Sequence, residues 1–161
     1  MKNIIIKKKL YFTIGLIILI FFGYIYYINS NIEVQERKCA YRIQRILIKK
    51  IKELDYIVKE INKTGNISSF KELDKKGLIL LIYRGDSLLS WSNNSIYVPL
   101  KYDSIFFNKR ISFNSNGWFF LKNYAFDDFK VVGIIRIKNE FLYENKYLKN
   151  RIHDDFRIKQ D

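Results

Sequence analysis

The sequence has very few of the residues that stabilise small domains through cross-links or metal ions. Its 161 residues include one cysteine, Cys39, and one histidine, His153. A single cysteine forms no internal disulfide, and one cysteine with one histidine provides neither an ordinary zinc site nor a Cys–His catalytic pair. We therefore expect no metal ion, no cofactor and a fold that depends on hydrophobic packing.

Catalytic motifs are missing as well. The sequence contains no G-x-x-x-x-G-K-[ST] or G-x-G-x-x-G phosphate-binding loop and no G-x-S-x-G nucleophile motif. Adjacent carboxylates occur at Asp127-Asp128 and at Asp154-Asp155, but both pairs lie where turns are expected, and His153 lies in a polar tail. We expect no catalytic residues and no enzymatic activity.

Negative charge is scarce relative to positive charge. The net charge is +13, and four lysines precede the long apolar segment, which leaves +9 on the remainder of the chain. A basic balance of this kind is compatible with nucleic-acid binding, but the charges are scattered and no nucleic-acid-binding motif accompanies them. We expect no nucleic-acid partner.

The most distinctive segment that is present is an uninterrupted apolar run, Leu10–Ile28. As a helix, a run of this length rises about 28 Å, close to the hydrocarbon thickness of a bilayer, about 30 Å. Tyrosines near both ends are typical of the aromatic belt of a spanning helix. A cleaved signal peptide would have a shorter run that ends in small residues, whereas this run ends in Tyr-Tyr-Ile. The run predicts a retained transmembrane helix.

The flanking charges predict the orientation of this helix. Four basic residues precede the run and three follow it within 15 positions: Lys2, Lys7, Lys8 and Lys9, then Arg37, Lys38 and Arg42. By the positive-inside rule, we expect residues 1–9 to form a cytoplasmic tail and 10–28 to cross the inner membrane once. Residues 29–161 would then form a single extracytoplasmic domain in the periplasm.

A long amphipathic pattern follows the apolar run. After a polar break at Asn29–Asn31, residues 32–62 lack glycine and proline, and their apolar residues recur in steps of three and four, which predicts one helix that ends at Thr64-Gly65-Asn66. The apolar stripe comprises Ala40, Ile43, Ile46, Leu47, Ile51, Leu54, Ile57, Val58 and Ile61. It fits either packing on a sheet or pairing with a second copy in a homodimer.

The remainder of the chain predicts an α+β fold. The capping-box spacing from Ser69 to Glu72, followed by Gly77, predicts a short helix over 70–76. About five antiparallel strands are expected after it, followed by a loop and a short helix from Asn139 onward; the strands cover 78–83, 88–92, 111–113, 118–124 and 130–138. We expect the helices to cover one face of a single antiparallel sheet.

Aromatic residues are abundant on and beside this predicted sheet. On a solvent-facing cleft they would stack against a ligand, whereas on the inner face they would fill the core. With the charged residue at the first hairpin turn, they give a candidate ligand-binding set of Tyr83, Arg84, Trp91, Trp118 and Tyr124.

Four segments in order carry a resemblance to a known family: Tyr83–Asn94, Asn116–Trp118, Val131–Lys138 and Tyr143–Asn150. Together they resemble the N-terminal extracytoplasmic sensor region of membrane-bound histidine kinases from Bacteroides-like bacteria. The resemblance implies a PAS-like or Cache-like sheet with a long leading helix, a dimer, and signalling through the membrane. The second transmembrane helix and the kinase modules of that family do not follow within these 161 residues, so the resemblance implies sensing without kinase activity.

Two functional hypotheses result. The first is a membrane-anchored sensor or ligand-binding module of a two-component system that lacks its output domains and takes an unknown small ligand or an envelope protein. The alternative is a bitopic structural or assembly protein of the cell envelope. Its pilin version is disfavoured, because pilins carry a Glu in the apolar helix and Leu10–Ile28 contains no acidic residue.

The dimer hypothesis can be tested at Cys39, which borders the apolar stripe. If residues 32–62 pair, two copies of Cys39 lie near the two-fold axis, and mild oxidation in membranes should give a covalent dimer, since a disulfide needs Cα atoms within roughly 7 Å. A cysteine moved to Arg42 or Arg45 on the polar face should cross-link less. Monomers at all three positions, resolved by non-reducing electrophoresis, would contradict helix pairing.

Overall fold

The computed structural model describes residues 2–64, 72–114 and 116–157. The chain divides into two compact units, one that ends at Gln44 and one that begins at Arg45. Helix α1, Lys2–Thr64, contributes residues to both units.

The first unit contains an apolar segment that is not buried. Within the described residues, one helix is long and apolar enough to cross a membrane; its most apolar window has a mean hydropathy of 1.7, and none of that window is buried. Large side chains such as Leu19, Phe22 and Tyr26 are exposed along it. A contiguous apolar surface of this extent marks a membrane or protein contact.

The polar break expected at Asn29–Asn31 does not interrupt the helix. Helix α1 continues through these residues, and the hydroxyl of Ser30 donates to the carbonyl oxygen of Tyr27 at 2.9 Å. Asparagine and serine are weak helix formers, but without glycine or proline their cost is a few tenths of a kcal/mol each, roughly 0.5. The helix ends at Thr64, as predicted; the expected cap at Gly65 lies outside the described residues.

The second unit is built on one antiparallel sheet. Over the described ranges its six strands are β1 (Leu78–Arg84), β2 (Ser87–Trp91), β3 (Ile111–Asn114), β4 (Gly117–Ala125), β5 (Lys130–Asn139) and β6 (Arg151–Ile152). The first five run in the order β2-β1-β5-β4-β3, and β6 pairs with the end of β5 that extends past β1. This confirms the α+β class with a single antiparallel sheet and both predicted hairpins.

The sheet has a hydrophobic cluster on each face. Alternate residues of β1 point to opposite faces, so Leu80 joins the cluster under α1 while Leu81 joins the cluster on the other side. The far face is covered by residues 95–110, an irregular segment with one helical turn, α2 (Ser104–Phe107). Covering of both faces explains why β1 is apolar throughout its first six residues.

The C-terminal part of the α1 stripe packs on the sheet. Leu54, Val58 and Ile61 are buried in the cluster beneath the helix. Four further stripe residues are partly buried against the same cluster: Ile46, Leu47, Ile51 and Ile57. Sheet packing therefore accounts for the stripe from position 46 onward, and helix pairing stays a prediction for the residues before it.

Two predicted helices are wrong. Of the helix predicted over 70–76, the described residues 72–76 form turns instead, in which the amides of Lys76 and Gly77 bond to carbonyls three positions back. Residues 70 and 71 and the expected cap at Ser69 lie outside the described residues. Gly77 has the positive φ, +62°, expected of a helix-ending glycine, but here it leads directly into β1.

The expected helix after Asn139 is also replaced by other structure. The chain runs through a loop to β6, whose residues pair with the end of β5, and then forms a 3₁₀ turn, Asp154–Phe156. Phe156 is buried in the cluster under α1. Pairing with β5 and burial of this ring hold the segment extended.

Truncation of Leu54 should therefore destabilise the second unit far more than truncation of a neighbouring exposed residue. Leu54 is fully buried, and a buried Leu→Ala change costs about 2–5 kcal/mol. Ile48 is exposed on the same helix, and its change to alanine should cost about 0.5 kcal/mol or less. Urea unfolding of the full chain, followed by tryptophan fluorescence, measures both. Equal losses for Leu54→Ala and Ile48→Ala would contradict packing of the stripe on the sheet.

Candidate functional site

The structure does not bring the five aromatic and charged candidates together. Tyr83 is fully buried beneath residues 95–110, and its hydroxyl donates to the carbonyl oxygen of Pro99 at 2.8 Å. Tyr124 packs against the cluster on the opposite face, where its hydroxyl donates to Asp55 at 2.6 Å. Burial raises the pKa of both phenols, with the hydrogen bond to Asp55 adding to the effect at Tyr124, so both remain protonated donors.

The other three candidates are exposed and separate. Arg84 lies at the β1–β2 turn. Trp91 is on the edge strand β2, and its indole donates to Asn94. Trp118 packs against Phe113 and donates to Glu140 at 3.1 Å.

The sheet face expected to take a ligand is filled by its own side chains. The cavity between that face and residues 95–110 has a volume of about 10 Å³, and Leu81, Phe107 and Phe119 are among its lining residues. A cavity of this size holds at most about one water molecule. This cavity, as lined by the described residues, is therefore too small for a small-molecule ligand.

A larger cavity opens on the other side of the sheet, against α1. It has a volume of about 530 Å³ and opens to solvent. We call it the lysine cleft, and its lining residues are Ile46, Lys49, Lys50, Glu53, Lys76 and Asp155. They come from α1, from the turn before β1 and from the 3₁₀ turn.

Lys50 is the central residue of the lysine cleft. Its side chain is only 6% exposed, and its ammonium lies 2.5 Å from a carboxylate oxygen of Asp155. The ammonium also donates to the carbonyl oxygen of Lys76, and it lies 6.0 Å from the centre of the Phe156 ring. A buried ammonium requires such partners, because desolvation of an unpaired charge is very costly.

His153 packs behind this ion pair and is not in a polar tail as predicted. Its ring occupies the space beside Gly77, where a Cβ would lie 2.6 Å from Nε2. Its Nδ1 is buried, lies 3.6 Å from the Asp155 carboxylate and has no hydrogen-bond partner among the described residues. The segment that carries His153 is held by a backbone bond from its amide to the carbonyl oxygen of Ile137.

The electrostatics of the cleft follow from these contacts. The hydrogen bond from Lys50 lowers the pKa of Asp155, which keeps this carboxylate ionised. Burial lowers the pKa of His153, and the nearby charge of Lys50 lowers it further, while Asp155 partly opposes the change. Above about pH 6.5, the imidazole of His153 is therefore neutral next to the ammonium–carboxylate pair.

The sequence contained one signal for this cleft. Lys50 stands three positions after Leu47 and four before Leu54, so it occupies a place in the apolar stripe itself. A lysine at such a position is a candidate for a buried charge with a partner. Its partner Asp155 is contributed by the far end of the chain, and no local pattern links the two.

Because His153 is the only histidine in the sequence, its effect on the pH dependence of stability can be measured. Its native pKa lies below the unfolded value of about 6.5, so the unfolded chain binds more protons and stability rises with pH in that window. The contribution of His153 is fully present above about pH 6.5 and is lost as the pH falls through the native pKa.

We therefore expect the free energy of unfolding of the full chain to decrease as the pH is lowered below about 6.5. The variant His153→Gln should flatten this dependence. Urea unfolding gives the free energy at each pH, and the imidazole NMR signal gives the native pKa directly. A native pKa at or above the ordinary histidine value would contradict the burial of an unpaired ring.

Comparison with known proteins identifies no family to which the chain belongs. No protein-family model matches the chain, and no curated protein or solved structure is significantly similar to it.

Proposed function

We propose that this chain is a single-pass inner-membrane protein whose second unit is an extracytoplasmic sensor or ligand-binding module, of the PAS-like or Cache-like type, in a two-component system. The proposal rests on the difference between the two ends of helix α1. Its first part is apolar and unburied, whereas its last part packs on a sheet and lines the lysine cleft. One helix thus contributes both the membrane segment and the wall of the binding site.

The membrane part of the proposal is supported by the exposed surface of the first unit. Side chains from Ile14 to Ile28 include many large apolar groups that no other described part of the chain covers. Burial of such groups in hydrocarbon is favourable by about 25 cal/mol for each Å² removed from water. A bilayer provides this cover along the whole segment.

The binding part of the proposal is supported by the lysine cleft. Four of its lining residues belong to α1: Ile46, Lys49, Lys50 and Glu53. An occupant would change the ion pairs that Lys50 and Glu53 make with Asp155 and Lys76. In the proposed mechanism, this change alters how the end of α1 packs on the sheet, and no catalytic step is involved.

The topology is testable with reporter fusions. A reporter active only outside the cytoplasm should be active when fused after Asp161, and a reporter active only inside should be active when fused before Lys2. Replacement of Lys7, Lys8 and Lys9 by glutamine should reduce the fraction of correctly oriented chains, because these charges flank the span. Lys59→Gln, a charge change outside the flanking region, should not alter it.

Two results would contradict the proposed topology. One is activity of the cytoplasmic reporter at the C-terminus. The other is a mature protein whose N-terminal sequence begins beyond Ile28, since this would show that the apolar segment had been removed.

A further inference from the structure

We propose that the lysine cleft binds the oxyanion group of a small molecule, a carboxylate or a phosphate, through Lys49, Lys50 and Lys76. This inference deepens the proposed binding function and rests on it, since it names the chemistry of the ligand. It is supported by three lysines that line one cavity and differ in how many of their N–H donors already have partners within the protein.

The first argument concerns Lys50, whose side chain is more than nine-tenths buried and lines the cleft. An ammonium has three N–H donors. Two of them are directed to the Asp155 carboxylate and to the carbonyl oxygen of Lys76. Within the described residues no third oxygen is bonded to this ammonium, so the buried cation keeps one N–H donor without a partner.

The second argument concerns the two outer lysines. Lys76 pairs with Glu53 at 2.5 Å, but its side chain is half exposed, and exposed pairs contribute only about 0–1 kcal/mol. Exchange of Glu53 for a ligand oxygen would therefore cost little. Lys49 lines the cleft with no ion-pair partner in the part of the chain that the structure describes.

The third argument concerns charge and size. Three ammonium groups face the carboxylates of Glu53 and Asp155, so the cleft has a net positive charge before any ligand enters. Its volume of about 530 Å³ lies within the range of small-molecule pockets, about 300–1,000 Å³. Ile46 provides an apolar wall. An oxyanion with a short carbon chain satisfies all three features.

The experiment uses the full chain in uncharged maltoside micelles and probes of defined chemistry. Succinate, acetate and inorganic phosphate are titrated by calorimetry at constant ionic strength, with chloride as the reference anion. We expect saturable binding of at least one oxyanion and none of chloride. The bound negative charge should also raise the pKa of His153, read from its imidazole NMR signal, because Asp155 at 3.6 Å already acts in that direction.

Matched variants identify the groups responsible. Lys49→Gln should weaken binding about tenfold, the loss expected for one charge-assisted hydrogen bond, without destabilising the fold, since Lys49 is exposed. Lys50→Met should abolish binding. Lys59→Gln removes the same charge from an exposed position of α1 outside the cleft and should leave affinity unchanged. Lys49→Gln keeps the test decisive if Lys50→Met fails to fold.

Each outcome has a defined meaning. A Lys49-dependent response to soluble oxyanions supports the proposal, and one seen only when phosphatidylglycerol is added to the micelles assigns the oxyanion to a lipid headgroup. Absence of saturable binding, or equal weakening by Lys49→Gln and Lys59→Gln, overturns the proposal. The reporter fusions are independent of these titrations, so failure of anion binding and failure of the proposed membrane topology are distinguishable.

Discussion

The contact on which the second unit depends is the packing of α1 against β5 and β1 through Leu54. A Cβ at Gly133 would lie 3.0 Å from a methyl group of Leu54, so the helix approaches β5 at the one position where the strand has no side chain. Polar contacts fix the helix at this point. Asp55 accepts a hydrogen bond from Tyr124 at 2.6 Å and pairs with Lys122 at 2.5 Å. Apolar burial supplies most of the stability of this contact, because the Asp55–Lys122 pair is partly exposed and such pairs contribute only about 0–1 kcal/mol.

The lysine cleft is a consequence of this packing. Lys50 lies one helical turn before Leu54, so the docking of Leu54 directs Lys50 toward the sheet side of α1 as well. Hydrophobic neighbours shield its ammonium, which makes the counter-charge of Asp155 necessary. The C-terminal segment then has two anchors in the same region, the ion pair of Asp155 and the buried ring of Phe156.

Regular elements with one dominant period could be predicted from the sequence. The first six residues of β1 are uniformly apolar, β5 has an apolar run from Val131 to Ile135, and both hairpins have a glycine at the turn. The apolar stripe of α1 could also be predicted, but the spacing of its residues does not indicate what packs against them. Only the buried positions of Val58 and Ile61 show that the sheet does so.

The parts that could not be predicted depend on contacts distant in sequence. The tail after Asn139 has amphipathic spacing, yet its pairing with β5 at Lys138 and Asn139 is decided by tertiary structure. The same holds for the site. Aromatic side chains can stack on a ligand, but Tyr83 is part of the hydrophobic core. The lysine cleft is formed by a helix and a tail whose residues share no sequence motif.

The pairing of β1 with β5 has a consequence for the order of folding. Leu78 pairs with Ile135 and Tyr83 with Lys130, so the centre of the sheet closes only after most of the domain has been synthesised. Until then, β1 and its hairpin partner β2 expose an apolar strand with an unpaired backbone edge. Such non-local strand pairing slows folding and leaves intermediates prone to association. A chain tethered to a bilayer by its first residues would therefore pass through this vulnerable stage at the membrane surface, where neighbouring copies are held at high local concentration.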